Sequence, residues 1–188
     1  RSVFPSIEKA DRNLPIPLSS AQQRLWFLDK LESGSSSFKI GTAYNIAGAI
    51  KLTGELNVTV LRSAFTELVK RHEALRTNVK LQEGQVVQVI GLAEPSYLDI
   101  IDLTHINDPE QSWRVKALMI DEATRAFDIE ISQNAKRTRL LRTRLLKLSD
   151  HQYVVLVTMH HIVSDGWSMG LLLDEVVELY DAKLMGRL

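Results

Sequence analysis

The 188-residue chain has no cysteine, and its 23 lysines and arginines are matched by 23 aspartates and glutamates. Without cysteine there are neither disulfides nor thiolate metal ligands, and a reducing compartment is permitted. A formal net charge of zero, with no dominant basic cluster, argues against nucleic acid as the main partner. No apolar run approaches a membrane span, and the first residues hold no signal-peptide core. These absences together point to a soluble, cytoplasmic chain that partners neither membrane nor nucleic acid. What remains is ordinary core-forming composition, 45% apolar and 24% charged, enough for one domain or a piece of something larger.

Residues 1–17 carry three prolines and no helical period, so they read as a linker or entry arm. "LSSAQQRLWFLDKLE" reads as a helix, with Ser20 and Gln23 as its capping box and Ala21, Leu25 and Leu28 on one face. A serine-rich loop, "ESGSSSFKIG", follows. "TAYNIAGAIKL" alternates as a strand with an interruption at Gly48. A second helix begins near Asn57 and aligns Leu61, Phe65, Leu68, Val69 and His72 on one face. "LRTNVKLQEGQVVQVI" predicts a hairpin turning at Glu83-Gly84, and "YLDIIDL" another strand. Asp108 and Pro109 open a third helix that runs to about Arg125. "RLLRTRLLKL" and "HQYVVLVTM" predict a hairpin turning at Asp150, and a last helix covers roughly Met169 to Leu184. This order implies a layered α/β domain whose sheet is built of hairpins more than of βαβ units.

The chemistry concentrates in "MHHIVSDGWSMG", residues 159–170. On an extended strand His160 and His161 point to opposite faces, so one can sit inward while the other is aimed out. They cannot both chelate one metal, and Asp165 would have to supply a further ligand, so a metal site is disfavoured. Gly166 implies a tight turn, and Ser168 can cap the closing helix. Neither Ser164 nor Ser168 lies in a nucleophile elbow. By pattern alone, two readings stay open: structural histidines near a turn, or a general base exchanging protons near neutral pH.

"MHHIVSDGWS" resembles the His-His-x-x-x-Asp-Gly signature of condensation domains from nonribosomal peptide synthetases. "LSSAQQRLWFL" (18–28) and "RHEALRT" (71–77) are similar to that family's first and second motifs, in the right order. The resemblance covers about residues 14–188, leaving 1–13 as the linker or entry arm. It implies a chloramphenicol acetyltransferase-like layered sandwich made of two pseudo-symmetric lobes. A complete condensation domain is roughly double this length, so the chain resembles the N-terminal lobe alone.

The resemblance implies amide formation between a donor acyl or peptidyl thioester and an acceptor aminoacyl thioester. Both would ride on phosphopantetheine arms of carrier proteins, with no cofactor bound directly. It gives the catalytic part to His161, as base or positioning group, and a structural part to His160. It implies that Asp165 pairs with an arginine, for which Arg76 is preferred and Arg71 second, and that Gly166 lets the loop pass close to the thioester. The partners implied are donor and acceptor carrier domains, the C-terminal lobe and an adenylation domain, with self-association of the isolated lobe. Trp167 is expected to pack. The sequence departs from the family at Ala126 and in "ISQNAKRTRLLR". Competing readings are a free-standing coenzyme A-dependent acyltransferase and a non-catalytic scaffold lobe.

Overall fold

The computed structural model of the chain describes residues 9–33, 43–131 and 139–188. Most of the entry arm, the serine-rich loop from residue 34 and the divergent segment after Ile131 therefore lie outside the described residues. In chain order the elements are β1 (Ile16–Pro17), α1 (Ser20–Ser33), β2 (Asn45–Thr53), α2 (Val58–Arg71), a 3-10 turn (Glu73–Arg76), β3 (Thr77–Gln82), β4 (Gln85–Ile90), β5 (Leu98–Asp102), α3 (Glu110–Thr124), β6 (Leu141–Ser149), β7 (Gln152–His160) and α4 (Gly166–Leu184).

Four strands form the main sheet in the order β2-β7-β6-β5, and β1-β4-β3 form a smaller one. Every ladder is antiparallel except β5 with β6. The parallel pair is joined through α3, the one βαβ crossover of the described residues; the hairpin character implied by the patterning holds. At the β3–β4 turn both Glu83 and Gly84 take positive φ (52° and 80°), the mirror-image turn that matches strand twist.

β7 is central, and both its faces are covered, which explains its unbroken apolar run. Tyr153, Val155, Val157 and Met159 pack with Phe65 and Leu68 of α2 and with Met169, Leu172 and Val176 of α4. The alternate residues Val154 and Leu156 pack with Leu103, Leu118 of α3 and Leu146. A third cluster, including Leu18, Phe127, Ile129, Leu140 and Ile162, lies against Leu25 and Trp26 of α1. The result is α2 and α4 over one face of the sheet and α3 over the other. Among the described residues no helix is long and apolar enough to cross a membrane.

Several local expectations shift. The α1 capping box is one residue earlier: the Gln22 N–H donates to Ser19 Oγ at 3.2 Å, and the Ser19 N–H to Gln22 Oε1 at 2.9 Å. β2 runs through Gly48 without a break. His72 is not on the buried face of α2 but exposed at its end. Asp108 accepts the Ser112 hydroxyl at 2.6 Å, and the cap position of α3 falls on Pro109. The helix expected to begin near Asn57 does so, and Asn57 is its cap, accepting the Val60 N–H at 3.1 Å.

Candidate active site

The two histidines are separated by the strand itself. The His160 N–H donates to Leu140 O at 3.1 Å toward β6, and the His161 N–H to Tyr44 O at 2.8 Å toward β2. Their side chains divide likewise: His160 is fully buried and His161 exposed. The His160 ring lies 6.3 Å from Tyr44 and 6.0 Å from the Phe127 ring, the latter edge-on. Its Nδ1 accepts the Ile162 N–H at 3.1 Å, so the neutral ring carries its proton on Nε2.

Burial, reinforced by His161 and Arg142, pushes His160 down to about 4. The unfolded ring titrates near its ordinary 6.5, so between these values the unfolded chain binds a proton that the folded chain refuses. Stability is therefore expected to fall as pH drops from 6.5 toward 4. Unfolding at pH 5 should take up about one more proton in the native chain than in a His160→Gln variant. Equal uptake would show that His160 is not held neutral.

The loop after the strand is fixed by backbone and core contacts. The Val163 N–H donates to His160 O at 3.1 Å, Ile162 is buried in the Phe127 cluster, and Gln22 of α1 donates its Nε2–H to Ile162 O at 3.2 Å. The first motif thus holds the signature loop. Asp165 caps α4: its Oδ1 accepts the Ser168 N–H at 2.8 Å and the Ser168 hydroxyl at 2.6 Å. Those bonds hold its carboxyl below the usual range. The cap is Asp165 and not Ser168, which sits one turn inside. Gly166 is the first helical residue, and a Cβ there would meet nothing within 4 Å. No left-handed turn requires this glycine. Trp167, expected to pack, is 78% exposed and belongs to no apolar cluster among the described residues.

The expected pairing of Asp165 with Arg76 or Arg71 is not formed. Arg76 donates through Nη1 to Gly91 O and lies 3.6 Å from Glu73. Arg71 and His72 both engage Glu175 of α4, tying the second motif to the helix that follows the signature. Arg71 is taken up by Glu67 and Glu175. Arg76 uses Nη1 and Nη2 on Gly91 and Glu73, while its buried Nε has no hydrogen-bond partner among the described residues. The Asp165 carboxylate is held by the helix end. Thermal melts should therefore show a lower melting temperature for Asp165→Ala, most of it regained in Asp165→Asn. The effects of Asp165→Ala and Arg76→Ala should add in the double variant. A clearly non-additive double variant would restore the pair.

Between the end of α2 and the start of α4 lies a cavity of about 200 Å³, lined in part by Leu75, Met159, Val163, Ser164, Ser168 and Leu172. A larger apolar groove of about 560 Å³ lies between β2, α2 and α4, against Leu52, Phe65 and Tyr180, and includes neither histidine. Among the described residues no three His, Asp or Glu side chains converge as metal ligands.

Three residues at this end of the sheet were not singled out by sequence. Arg142 of β6 stacks its guanidinium 3.7 Å above the Phe127 ring and pairs through Nε with Glu122. Glu122 of α3, 2% exposed, also meets Arg125 at 3.1 Å and Arg144 at 3.6 Å. Asn45 of β2 donates through Nδ2 to Ala123 O at 2.8 Å and Arg125 O at 2.9 Å, closing the end of α3. The helical spacing of Glu122 from Leu118 would have revealed it as a carboxylate on a buried face.

Residues 14–188 match the family model described as a condensation domain. Over 175 residues the chain is 40% identical to one of the linear gramicidin synthase proteins of Brevibacillus parabrevis, covering 93% of this chain and 2% of that protein. Bacitracin synthase 3 of Bacillus licheniformis is 34% identical over 182 residues, 97% of this chain and 2% of that one. The chain thus spans a small fraction of these relatives. The starter condensation domain of rhizomide synthetase RzmA superposes with a TM-score of 0.78 at 24% identity, over 92% of this chain and 39% of that structure. The X-domain from teicoplanin biosynthesis gives 0.78 at 26%, over 97% and 36%. The chain belongs to the condensation-domain family, and its two-sheet α/β fold is one lobe of the chloramphenicol acetyltransferase-like sandwich.

Proposed function

We propose that this chain is the N-terminal, histidine-bearing lobe of a condensation domain that forms peptide bonds within a nonribosomal peptide synthetase. The observation that carries the reading is the exposed His161 imidazole at the end of a rigid central strand, with His160 buried beneath it. The amine of an acceptor aminoacyl thioester attacks the donor thioester carbonyl, the amide C–N bond forms, and the thiolate leaves. His161 takes the proton of the attacking ammonium or holds the amine in line for attack. His160 stays neutral and supports the strand end, Asp165 holds the start of α4, and the open space over Gly166 leaves room for a thioester. The phosphopantetheine arms are parts of the substrates, carried by donor and acceptor carrier domains. An adenylation domain of the same synthetase would load them. Arg76 is no longer a partner of Asp165 in this reading; it braces the second motif against Gly91.

The isolated lobe is expected to fold without catalysing condensation. Positioning two thioesters is most of the work, and one wall of a channel cannot place both. Trp167, Leu171, Val177 and Leu184 of α4 are exposed apolar side chains, a surface that favours self-association of the lobe alone. The test supplies two loaded carrier domains either to the parent synthetase or to this chain alone. Peptide should form only with the parent. Turnover by the chain alone would overturn the two-lobe requirement, and coenzyme A thioesters serving the parent equally well would reassign it to free-standing acyl transfer.

A further inference from the structure

Two buried polar atoms beside the signature lack a hydrogen-bond partner among the described residues, and they are complementary. One is His160 Nε2, the other Asn45 Oδ1. Neither can exchange its role. Nδ1 of His160 already accepts the Ile162 N–H, so in the neutral ring Nε2 is the donor. The Asn45 amide nitrogen already serves two carbonyls, Ala123 O and Arg125 O, so its oxygen is fixed as the free acceptor.

The strand register brings them together. Asn45 and His160 are directly opposed in the β2–β7 ladder, and opposed residues project to the same face of the sheet. The adjacent pair is joined by the His161 N–H to Tyr44 O bond, so Asn45 and His160 form the non-hydrogen-bonded pair, in which side chains approach more closely. A buried donor and a buried acceptor left without partners would each carry the full cost of desolvation. A buried water typically joins such groups.

We propose that Asn45 is a positioning residue for the histidine pair: its Oδ1 takes the Nε2–H of His160 through one bridging water, fixing the ring's angle in the tautomer that the Ile162 N–H selects. Because Asn45 also closes α3, the link ties that helix to the strand end from which His161 projects. That His161 is the group served rests on the reading above; the link between Asn45 and His160 does not.

The test is nitrogen NMR on the 188-residue chain labelled with 15N-histidine, which reads tautomer, exchange and titration without any activity. In the native chain His160 should be a single Nε2–H tautomer whose proton exchanges slowly with solvent; a rapidly exchanging proton or an Nδ1–H ring would overturn the proposal whether or not any variant folds. Asn45→Ala should speed that exchange at least tenfold. Asn45→Asp keeps an acceptor oxygen and adds a charge, so the His160 midpoint should rise by about one unit or more. The other charged or titratable groups near the ring are Tyr44, just before β2, and Arg142 of β6, with His161 acting from the opposite face of its own strand and Arg142 paired to Glu122 of α3; all are unchanged in that variant. A folded Asn45→Asp chain with an unmoved midpoint would reduce Asn45 to a helix cap and end the proposal.

Discussion

Replacing His161 by alanine in the parent synthetase should lower peptide formation by about 10²–10⁴-fold, the usual contribution of a positioned general acid–base group. Adenylation by neighbouring domains should continue at its normal rate. His161 is exposed, so the substitution should leave stability within about 0.5 kcal/mol, and the loss cannot be assigned to unfolding. The fixed parts of the residue are its backbone, bonded to Tyr44 O, and the loop beyond it, held by Gln22. Only the ring is removed. His161→Gln separates the two chemical roles. An amide can hold an amine in place but cannot exchange a proton near neutral pH, so a positioning role predicts partial activity with a flat pH profile. A base predicts loss equal to that of alanine. Near-normal peptide yield from His161→Ala would take the residue out of the mechanism.

Much of this site was readable because it depends on local geometry. Strand alternation alone puts His160 and His161 on opposite faces, and the apolar run before them marks a strand covered on both sides. The turn at Glu83-Gly84 and the start of α2 near Asn57 likewise follow from a few adjacent residues. The capping errors are also local, and each has a physical cause. At α1 two successive serines offer equivalent hydroxyls, and the box closes on Ser19 with Gln22. At α4 the aspartate outcompetes Ser168 because a carboxylate can accept both the N–H and the hydroxyl of that serine. What could not be read were contacts made by chain reversal. Nothing near Arg76 in sequence announces that its guanidinium meets the Gly91 carbonyl. Nor does the sequence around Asn45 announce His160, which arrives opposite it only when β2 and β7 pair across more than a hundred residues. The parallel β5–β6 pairing is similar: it places Asp99 beside Arg144, and only then do the carboxylates of α3 find their arginines.

That arrangement makes Glu122 the residue whose loss should cost most in stability. Its carboxylate is 2% exposed and accepts from Arg142 and Arg125, with Arg144 at 3.6 Å. Arg142 and Arg144 are themselves largely buried, 16% and 10% exposed in their side chains. Removing the carboxylate leaves the buried Arg142 without its anion, while Arg144 keeps Asp99 at 2.9 Å and Asp121 at 3.4 Å; breaking such a buried pair costs about 3–5 kcal/mol. For a chain of this size that corresponds to a melting temperature roughly 6–20 °C lower. The damage should also reach the histidine pocket, because Arg142 covers Phe127 and Phe127 packs edge-on against His160. Glu94→Ala supplies the contrast: its pair with Arg139 is solvent-exposed on both sides, and its loss should cost at most about 1 kcal/mol. Urea unfolding of the two variants measures the difference directly. A Glu122→Ala chain within about 1 kcal/mol of native would mean that water reaches the arginines and the cluster is not buried. If the cost is large, replacing Glu122, Arg142 and Arg144 together by apolar residues of similar volume should recover most of it, since a buried ion cluster is destabilising chiefly when it is broken in part.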